Sequence, residues 1–139
     1  MSDRAVDVLL VSHTHWDREW YRTFEAFRAR LVDTVDRVLE LLADDPGWKF
    51  VLDGQSIVVE DYLTVRPDRR DDLEKVVRDG RLALGPWYVQ PDSLLPGGES
   101  LIRNLLEGRR VAESLGRCSA VAYVPDSLAG LGVRATGRT

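Results

Sequence analysis

The spacing of hydrophobic and polar positions changes period several times along the chain, and each change predicts a new element. A mostly apolar run at residues 6–11 is typical of a strand buried on both faces, which ends just before His13. After Thr23, apolar residues recur at three- and four-residue steps, which indicates a helix with one buried face that residues 45–47 end. Its apolar positions are Phe24, Phe27, Leu31, Val35, Val38, Leu39 and Leu42.

The middle of the chain predicts a second strand and two further helices. Residues 49–53 form the strand, and Ser56 is placed to cap a helix that runs to about Val65. Residues 67–68 then open another helix, which Gly80 closes.

The last part repeats the order strand, helix, strand. Residues 82–84 predict a third strand, and a long irregular loop follows it through residue 98. A helical stripe then ends at Gly116, and residues 120–124 predict a fourth strand. The apolar positions of the stripe are Leu101, Ile102, Leu105, Ala112 and Leu115.

Strands that alternate with helices predict an α/β fold. Each strand returns to the same sheet through a right-handed crossover, which leaves the four strands parallel. Residues 1–127 then form one domain. Residues 128–139 contain no acidic residue and show no periodicity, which predicts a disordered tail.

Composition narrows the class of protein. A chain of 139 residues, 44% hydrophobic and 30% charged, is typical of one globular domain. The net charge of -4 gives no general attraction to nucleic acid or anionic membranes. The single cysteine, Cys118, excludes an internal disulfide and favours a cytoplasmic setting. The run at 6–11 is far shorter than the ~20 apolar residues of a membrane span.

A carboxylate follows each predicted strand: Asp17, Asp53, Asp92 and Asp126. The carboxyl ends of parallel strands meet at one edge of a sheet, where α/β proteins bind their ligands. Carboxylates gathered there repel one another unless a cation joins them, and carboxylate with neutral imidazole suits zinc.

His15 and Asp17 are the leading candidates for metal ligands. They stand two residues apart in a segment leaving a strand, so both side chains point the same way. His13 is in phase with them, and either histidine could instead bond a second carboxylate. Ordinary polar loop residues are the alternative interpretation.

Aromatic residues crowd the same edge, and indole rings stack on the C–H faces of sugars. Trp20 and Trp87 are therefore candidate substrate-binding residues, whereas Trp16 could equally complete the core. Asp53 and Asp92 could contact substrate or serve as turn residues.

Five segments together resemble the amino-terminal part of the glycoside hydrolase family 38 α-mannosidases. They are His13-Thr-His-Trp-Asp-Arg-Glu-Trp-Tyr21, Leu52-Asp-Gly-Gln55, Gly85-Pro-Trp-Tyr-Val-Gln-Pro-Asp92, Gly98-Glu-Ser-Leu-Ile-Arg-Asn-Leu-Leu106 and Tyr123-Val-Pro-Asp-Ser127. Their order matches the family, and the resemblance covers residues 6 to about 127.

The resemblance implies part of a (β/α) barrel that hydrolyses α-mannosides in oligosaccharides or glycosides with retention of configuration. A zinc ion would hold the mannose ring through its hydroxyls at positions 2 and 3. His15, Asp17 and Asp126 correspond to zinc ligands. Asp126 also corresponds to the nucleophile, and Trp20 to a tryptophan that lies against the sugar.

The resemblance ends after Ser127. The family continues with Phe-Gly-His, whereas this chain has Leu128-Ala129-Gly130. In the family a histidine ligand and the aspartate that serves as general acid/base lie farther along. We therefore expect an incomplete catalytic domain that results from a premature end or a frameshift. At least one sheet edge should then be open and apolar.

Two other functions fit the same residues. A metal-dependent carbohydrate deacetylase or amidohydrolase would use His15, Asp17 and a further ligand to activate water. A non-catalytic sugar-binding remnant would use only the tryptophan-rich edge.

Overall fold

The computed structural model describes residues 6–92, 94–121 and 123–125, and these residues alternate between short strands and helices. In chain order the elements are β1 (Ser12–His13), α1 (Phe24–Asp44), β2 (Phe50–Val51), α2 (Ile57–Val65), a 3₁₀ helix (Pro67–Arg69), α3 (Arg70–Arg78), β3 (Leu82–Ala83) and α4 (Gly98–Ser114). The order confirms the predicted α/β fold.

The strands form one parallel sheet in the order β1-β2-β3. Phe50 of β2 lies opposite Ser12 on one side and Leu82 on the other. Each connection between strands contains at least one helix, as parallel pairing requires. The central strand therefore aligns all three carboxyl ends at one edge.

The core lies between this sheet and the helices. Six of the seven apolar positions predicted for α1 are buried, and Phe24 at its first turn is partly exposed. Five of the nine residues of helix α2, which packs against α1, are buried, and Tyr62 is fully buried there. None of the helices within the described residues is long and apolar enough to cross a membrane.

The predicted strand at residues 6–11 is wrong in position and in burial. The ladder of β1 contains only Ser12 and His13, and the preceding apolar side chains are exposed, Leu10 by 93%. In the described part of the chain β1 has a partner on one side only, so nothing there covers this run. Among the described residues the outer edge of β1 is unpaired and follows an exposed apolar run, and an open, apolar edge of the whole chain stays a prediction.

The predicted fourth strand is also absent from the described residues. Ser119 N–H donates to Leu84 O at 2.8 Å, so the segment after α4 begins beside the end of β3. Residues 120, 121 and 123–125 then form no ladder, and Val121 is exposed. The proposed boundary at residue 127 and the tail at 128–139 lie outside the described residues.

Ser56 occupies the predicted cap position of α2 but does not cap it with its side chain. Its backbone is helical, with φ -97° and ψ -18°, whereas a capping residue is usually extended. Its N–H donates instead to Trp87 O at 2.8 Å. The start of α2 is therefore held by the loop after β3.

Candidate functional site

The loops that follow the three strands are joined to one another by backbone hydrogen bonds. Thr14 N–H donates to Val51 O at 3.3 Å, and Leu52 N–H donates to Ala83 O at 2.9 Å. Farther out, Gln55 and Trp87 form a parallel bridge. The structure thus brings three of the motifs to one edge, as the parallel topology predicted.

His15 and Asp17 face each other across this edge. His15 Nε2 lies 3.7 Å from Asp17 Oδ2, and the two side chains are 38% and 42% exposed. Two ligands of one zinc ion lie no more than about 4 Å apart, since each bond is ~2.0–2.2 Å. The distance and the types of donor atom fit a shared zinc ion, and the exposure leaves the pair accessible.

Asp53 lies beneath this pair and is fully buried. One carboxylate oxygen accepts hydrogen bonds from Trp16 N–H at 2.9 Å and Gln55 Nε2 at 2.5 Å. The other lies 3.7 Å from His15 Nδ1 and 3.2 Å from Gln90 Nε2. These donors surround the carboxylate, and a contact between Asp53 and substrate stays a prediction.

Burial raises the pKa of Asp53 to about 6, because a charged carboxylate loses its hydration. The hydrogen bonds from Gln55 and Trp16 oppose this rise. The backbone of Asp53 is left-handed, with φ 53°, a conformation that aspartate adopts more readily than most residues. This backbone turn directs the carboxylate under the loop that carries His15.

Gln55 and Gln90 complete a polar network that sequence reasoning did not identify. Gln55 Nε2 also donates to Trp16 O at 2.8 Å, and Gln90 Nε2 donates to Asp53 O. Gln90 N–H donates to Gln55 Oε1 at 3.3 Å. Both residues stand within the quoted motifs, so their position in the motifs was the only signal available.

The segment before the predicted nucleophile crosses the same edge. The Tyr123 hydroxyl lies 2.7 Å from His13 Nδ1, and the two rings meet edge to face. Tyr123 also covers Gly54, whose φ is 62° and where a Cβ would lie 3.0 Å from Tyr123 O. The first and last motifs are therefore in contact, while Asp126 itself lies outside the described residues.

Two open clefts flank His15, Trp16 and Asp17. The cleft on the α1 side, of about 490 Å³, contains Trp20, and the other, of about 440 Å³, contains Asp92. Trp20 is 76% exposed. The predicted substrate residues Trp20 and Asp92 thus line different clefts, each of which also contains the candidate metal pair.

The remaining tryptophans near the edge are more enclosed. Trp16 packs on the core and meets Phe27 edge to face at 6.2 Å. Trp87 is half-buried, and its Nε1 has no hydrogen-bond partner within the described residues. A substrate contact by Trp87 stays a prediction.

The structure places two of the three predicted metal ligands together. The described residues contain no cluster of three or more histidine, cysteine or acidic side chains that could hold a metal ion. The third predicted ligand, Asp126, lies outside them. The described site is therefore a two-residue pair with a buried carboxylate behind it.

Comparison with known proteins finds a matching protein family and similar proteins. Residues 5–129 match the N-terminal domain of the glycosyl hydrolases family 38. A protein of Halalkalibacterium halodurans named "Putative mannosylglycerate hydrolase" is 44% identical over 120 residues, which are 85% of this chain and 13% of that protein.

Solved structures show the same likeness. An α-mannosidase from Enterococcus faecalis V583 superposes with a TM-score of 0.75 at 44% identity, over 78% of this chain and 12% of that one. A glycosyl hydrolase family 38 protein from Enterococcus faecalis gives 0.76 at 40% identity, over 84% and 14%. The chain thus spans about one-eighth of the length of the proteins it matches.

Proposed function

Since the chain belongs to glycoside hydrolase family 38, we propose that it contributes the metal-binding edge of an enzyme that hydrolyses α-mannosides. The proposal depends on one observation: His15 Nε2 lies 3.7 Å from Asp17 Oδ2. Membership of a glycoside hydrolase family favours this reaction over the deacetylase alternative.

His15 and Asp17 are proposed to hold zinc, with Asp126 as a third ligand by resemblance to the family. A bound zinc ion would bind the hydroxyls at positions 2 and 3 of mannose and so orient the ring. The neutral imidazole of His15 and the carboxylate of Asp17 supply the nitrogen and oxygen donors that zinc accepts.

We propose that side chains carry out the nucleophilic attack, the protonation of the leaving oxygen and the stacking on the sugar. The carboxylate of Asp126 attacks the anomeric carbon as the bond to the leaving oxygen breaks, and water later releases the sugar with retained configuration. A second carboxyl group, which the resemblance places farther along the family's chain, protonates the leaving oxygen. Trp20, exposed beside Asp17, offers a flat apolar surface for the C–H face of the sugar.

The substrate class is proposed from the same comparisons. The curated relative at 44% identity is named for a mannosylglycerate hydrolase, and a solved relative is an α-mannosidase. Both names refer to a mannose group. We take the mannose ring as the part of the substrate that this chain binds.

Zinc titration calorimetry on the 139-residue chain tests the metal site. We expect His15→Ala and Asp17→Ala each to weaken binding by at least ~10-fold, since each removes a ligand. His13→Ala is the matched control, because His13 is bonded to Tyr123 and is expected to leave binding near that of the unmodified chain. Nanomolar binding that survives Asp17→Ala would place the ligands elsewhere.

Sugar binding is tested by saturation-transfer NMR with methyl α-mannoside. Methyl α-glucoside is the control ligand, because it differs only in the orientation of the hydroxyl at position 2. We expect a larger signal for the mannoside, which requires zinc and decreases in Trp20→Ala. Equal signals for both sugars without zinc would contradict the proposal.

A further inference from the structure

The imidazole of His15 lies between two carboxylates of different character. Its Nε2 faces Asp17, which is open to solvent, and its Nδ1 faces Asp53 Oδ1, which is buried, each at 3.7 Å. Both separations are slightly longer than a hydrogen bond. The two ring nitrogens therefore face distinct partners, one exposed and one within the protein.

From this arrangement we infer that Asp53 is a positioning residue, which holds the proton of His15 on Nδ1 and so leaves the Nε2 lone pair directed toward Asp17. A neutral imidazole carries its proton on one nitrogen only. The two carboxylates are equally distant, but Asp53 is buried and Asp17 is 42% exposed, so solvent screens Asp53 less and its charge favours the proton on Nδ1. Zinc needs the unprotonated nitrogen, so this tautomer prepares Nε2 for the metal. The inference rests on the metal site of the proposed function.

The position of Asp53 is itself closely determined. Trp16 N–H and Gln55 Nε2 hold one oxygen, and Gln90 Nε2 approaches the other. Trp16 lies between His15 and Asp17 in the chain, so its N–H bond ties the ligand loop directly to the carboxylate. The same carboxylate thus fixes the backbone of the loop and faces the ring of His15.

Asp53→Asn removes the carboxylate that faces His15 while it keeps the size and backbone conformation of residue 53. Asparagine has nearly the same size and tolerates a positive φ, so the turn at φ 53° is preserved. Its amide can present an NH₂ group to the ring in place of a carboxylate oxygen. Glu19→Gln is the matched control, because Glu19 lines the same cleft as His15 and its loss removes one negative charge there.

The first measurement uses the metal-free chain. Long-range ¹H–¹⁵N spectra report which nitrogen of each histidine is protonated, and the chain has two histidines, so His13 serves as an internal reference. We expect His15 to carry its proton on Nδ1 in the unmodified chain and in Glu19→Gln. In Asp53→Asn the Nε2-protonated form should increase. An unchanged tautomer in Asp53→Asn would overturn the inference.

The second measurement is zinc affinity by calorimetry. Loss of a carboxylate behind a metal-binding histidine typically weakens binding by ~10- to 100-fold, which we expect for Asp53→Asn but not for Glu19→Gln. If the unmodified chain binds no zinc, the metal site of the proposed function fails while the tautomer result still decides the inference. If it binds zinc and Asp53→Asn binds equally well, the inference alone fails.

A second variant guards against misfolding of Asp53→Asn. Gln55→Leu keeps the carboxylate but removes the side chain that donates to it at 2.5 Å. We expect a smaller change of the His15 tautomer in the same direction, with the far-ultraviolet circular dichroism of the unmodified chain. A folded Gln55→Leu protein with no change at His15 would also contradict the role of the network.

Discussion

Arg18 and Asp61 form a two-point ion pair that fastens the loop after β1 to helix α2. Arg18 Nε lies 2.6 Å from Asp61 Oδ2, and Arg18 Nη2 lies 2.8 Å from Asp61 Oδ1. The Asp61 side chain is 10% exposed, and the pair raises the pKa of Arg18. Because Arg18 follows Asp17 directly, the pair helps to fix the candidate metal ligands relative to the core.

Arg18→Met should lower the free energy of unfolding by about 1–3 kcal/mol, measured by urea denaturation. It leaves a buried carboxylate unpaired, although the partial exposure of Arg18 admits water that relieves part of the cost. Arg28→Met is the matched control, since both arginines stack on Phe24 but Arg28 pairs with the exposed Glu25. Its effect should stay below about 1 kcal/mol. Equal losses would refute the special role of Arg18.

Gly108 allows helix α4 to lie directly on the loop after β3. A Cβ at this position would lie 2.2 Å from the backbone carbon of Trp87. Gly108→Ala should therefore displace the helix or the loop and cost about 1–3 kcal/mol in urea denaturation. Gly98→Ala, on the same helix with open space around it, should change stability by less than about 1 kcal/mol. Similar stabilities of the two variants would contradict the close approach.

Tyr62 should make the protein sensitive to alkaline pH. Burial, followed by the hydrogen bond to Asp36, raises its pKa to about 12, whereas an unfolded tyrosine ionises near pH ~10. Its contribution is complete below pH ~10 and is lost as the pH rises toward 12, because the unfolded chain releases the proton first. The stability advantage of the unmodified chain over Tyr62→Phe should thus shrink by about 1–3 kcal/mol across this range.

Urea midpoints at a series of pH values measure this effect. Tyr21→Phe is the control, because Tyr21 is exposed, and it should retain the pH dependence of the unmodified chain. A Tyr62→Phe protein that loses stability as steeply as the unmodified chain would assign the alkaline sensitivity to another group.

The isolated 139-residue chain should release mannose from an activated aryl α-mannoside at no more than the background rate, even with zinc added. Retaining hydrolysis uses two carboxyl groups, and the resemblance assigns only Asp126 in this chain. Loss of general acid catalysis typically costs ~100- to 10,000-fold in rate. Robust turnover that Asp126→Asn abolishes would mean that another carboxyl group, such as Asp92, acts as the acid.

The exposed apolar run at residues 6–11 should promote self-association. It directly precedes β1, whose outer edge has no partner in the described part of the chain. Sedimentation velocity should show a mass that rises with protein concentration, and Leu10→Lys should reduce it. Leu95→Lys, which changes another exposed leucine away from β1, should not. A monomer at all concentrations would disprove this expectation.

The sequence alone determined the order of the three described strands and the four α-helices, and the parallel arrangement of the strands. Six of the seven periodic apolar positions of α1 are buried as predicted, because a helix with one apolar stripe has only one face to bury. The placement of His15 and Asp17 at the edge followed from their position after a strand. These features depend on how residues are spaced within one segment, and this spacing can be read from the sequence.

The burial of Asp53, the unpaired run at residues 6–11 and the absence of a fourth strand within the described residues required the tertiary structure. A buried carboxylate and a surface turn carboxylate have the same local sequence, and only the donors of Trp16, Gln55 and Gln90 distinguish them. Likewise, an apolar run becomes a buried strand only if other segments cover it. Burial is a property of neighbours far apart in the chain, so local pattern could indicate which segments need partners but not which segments have them.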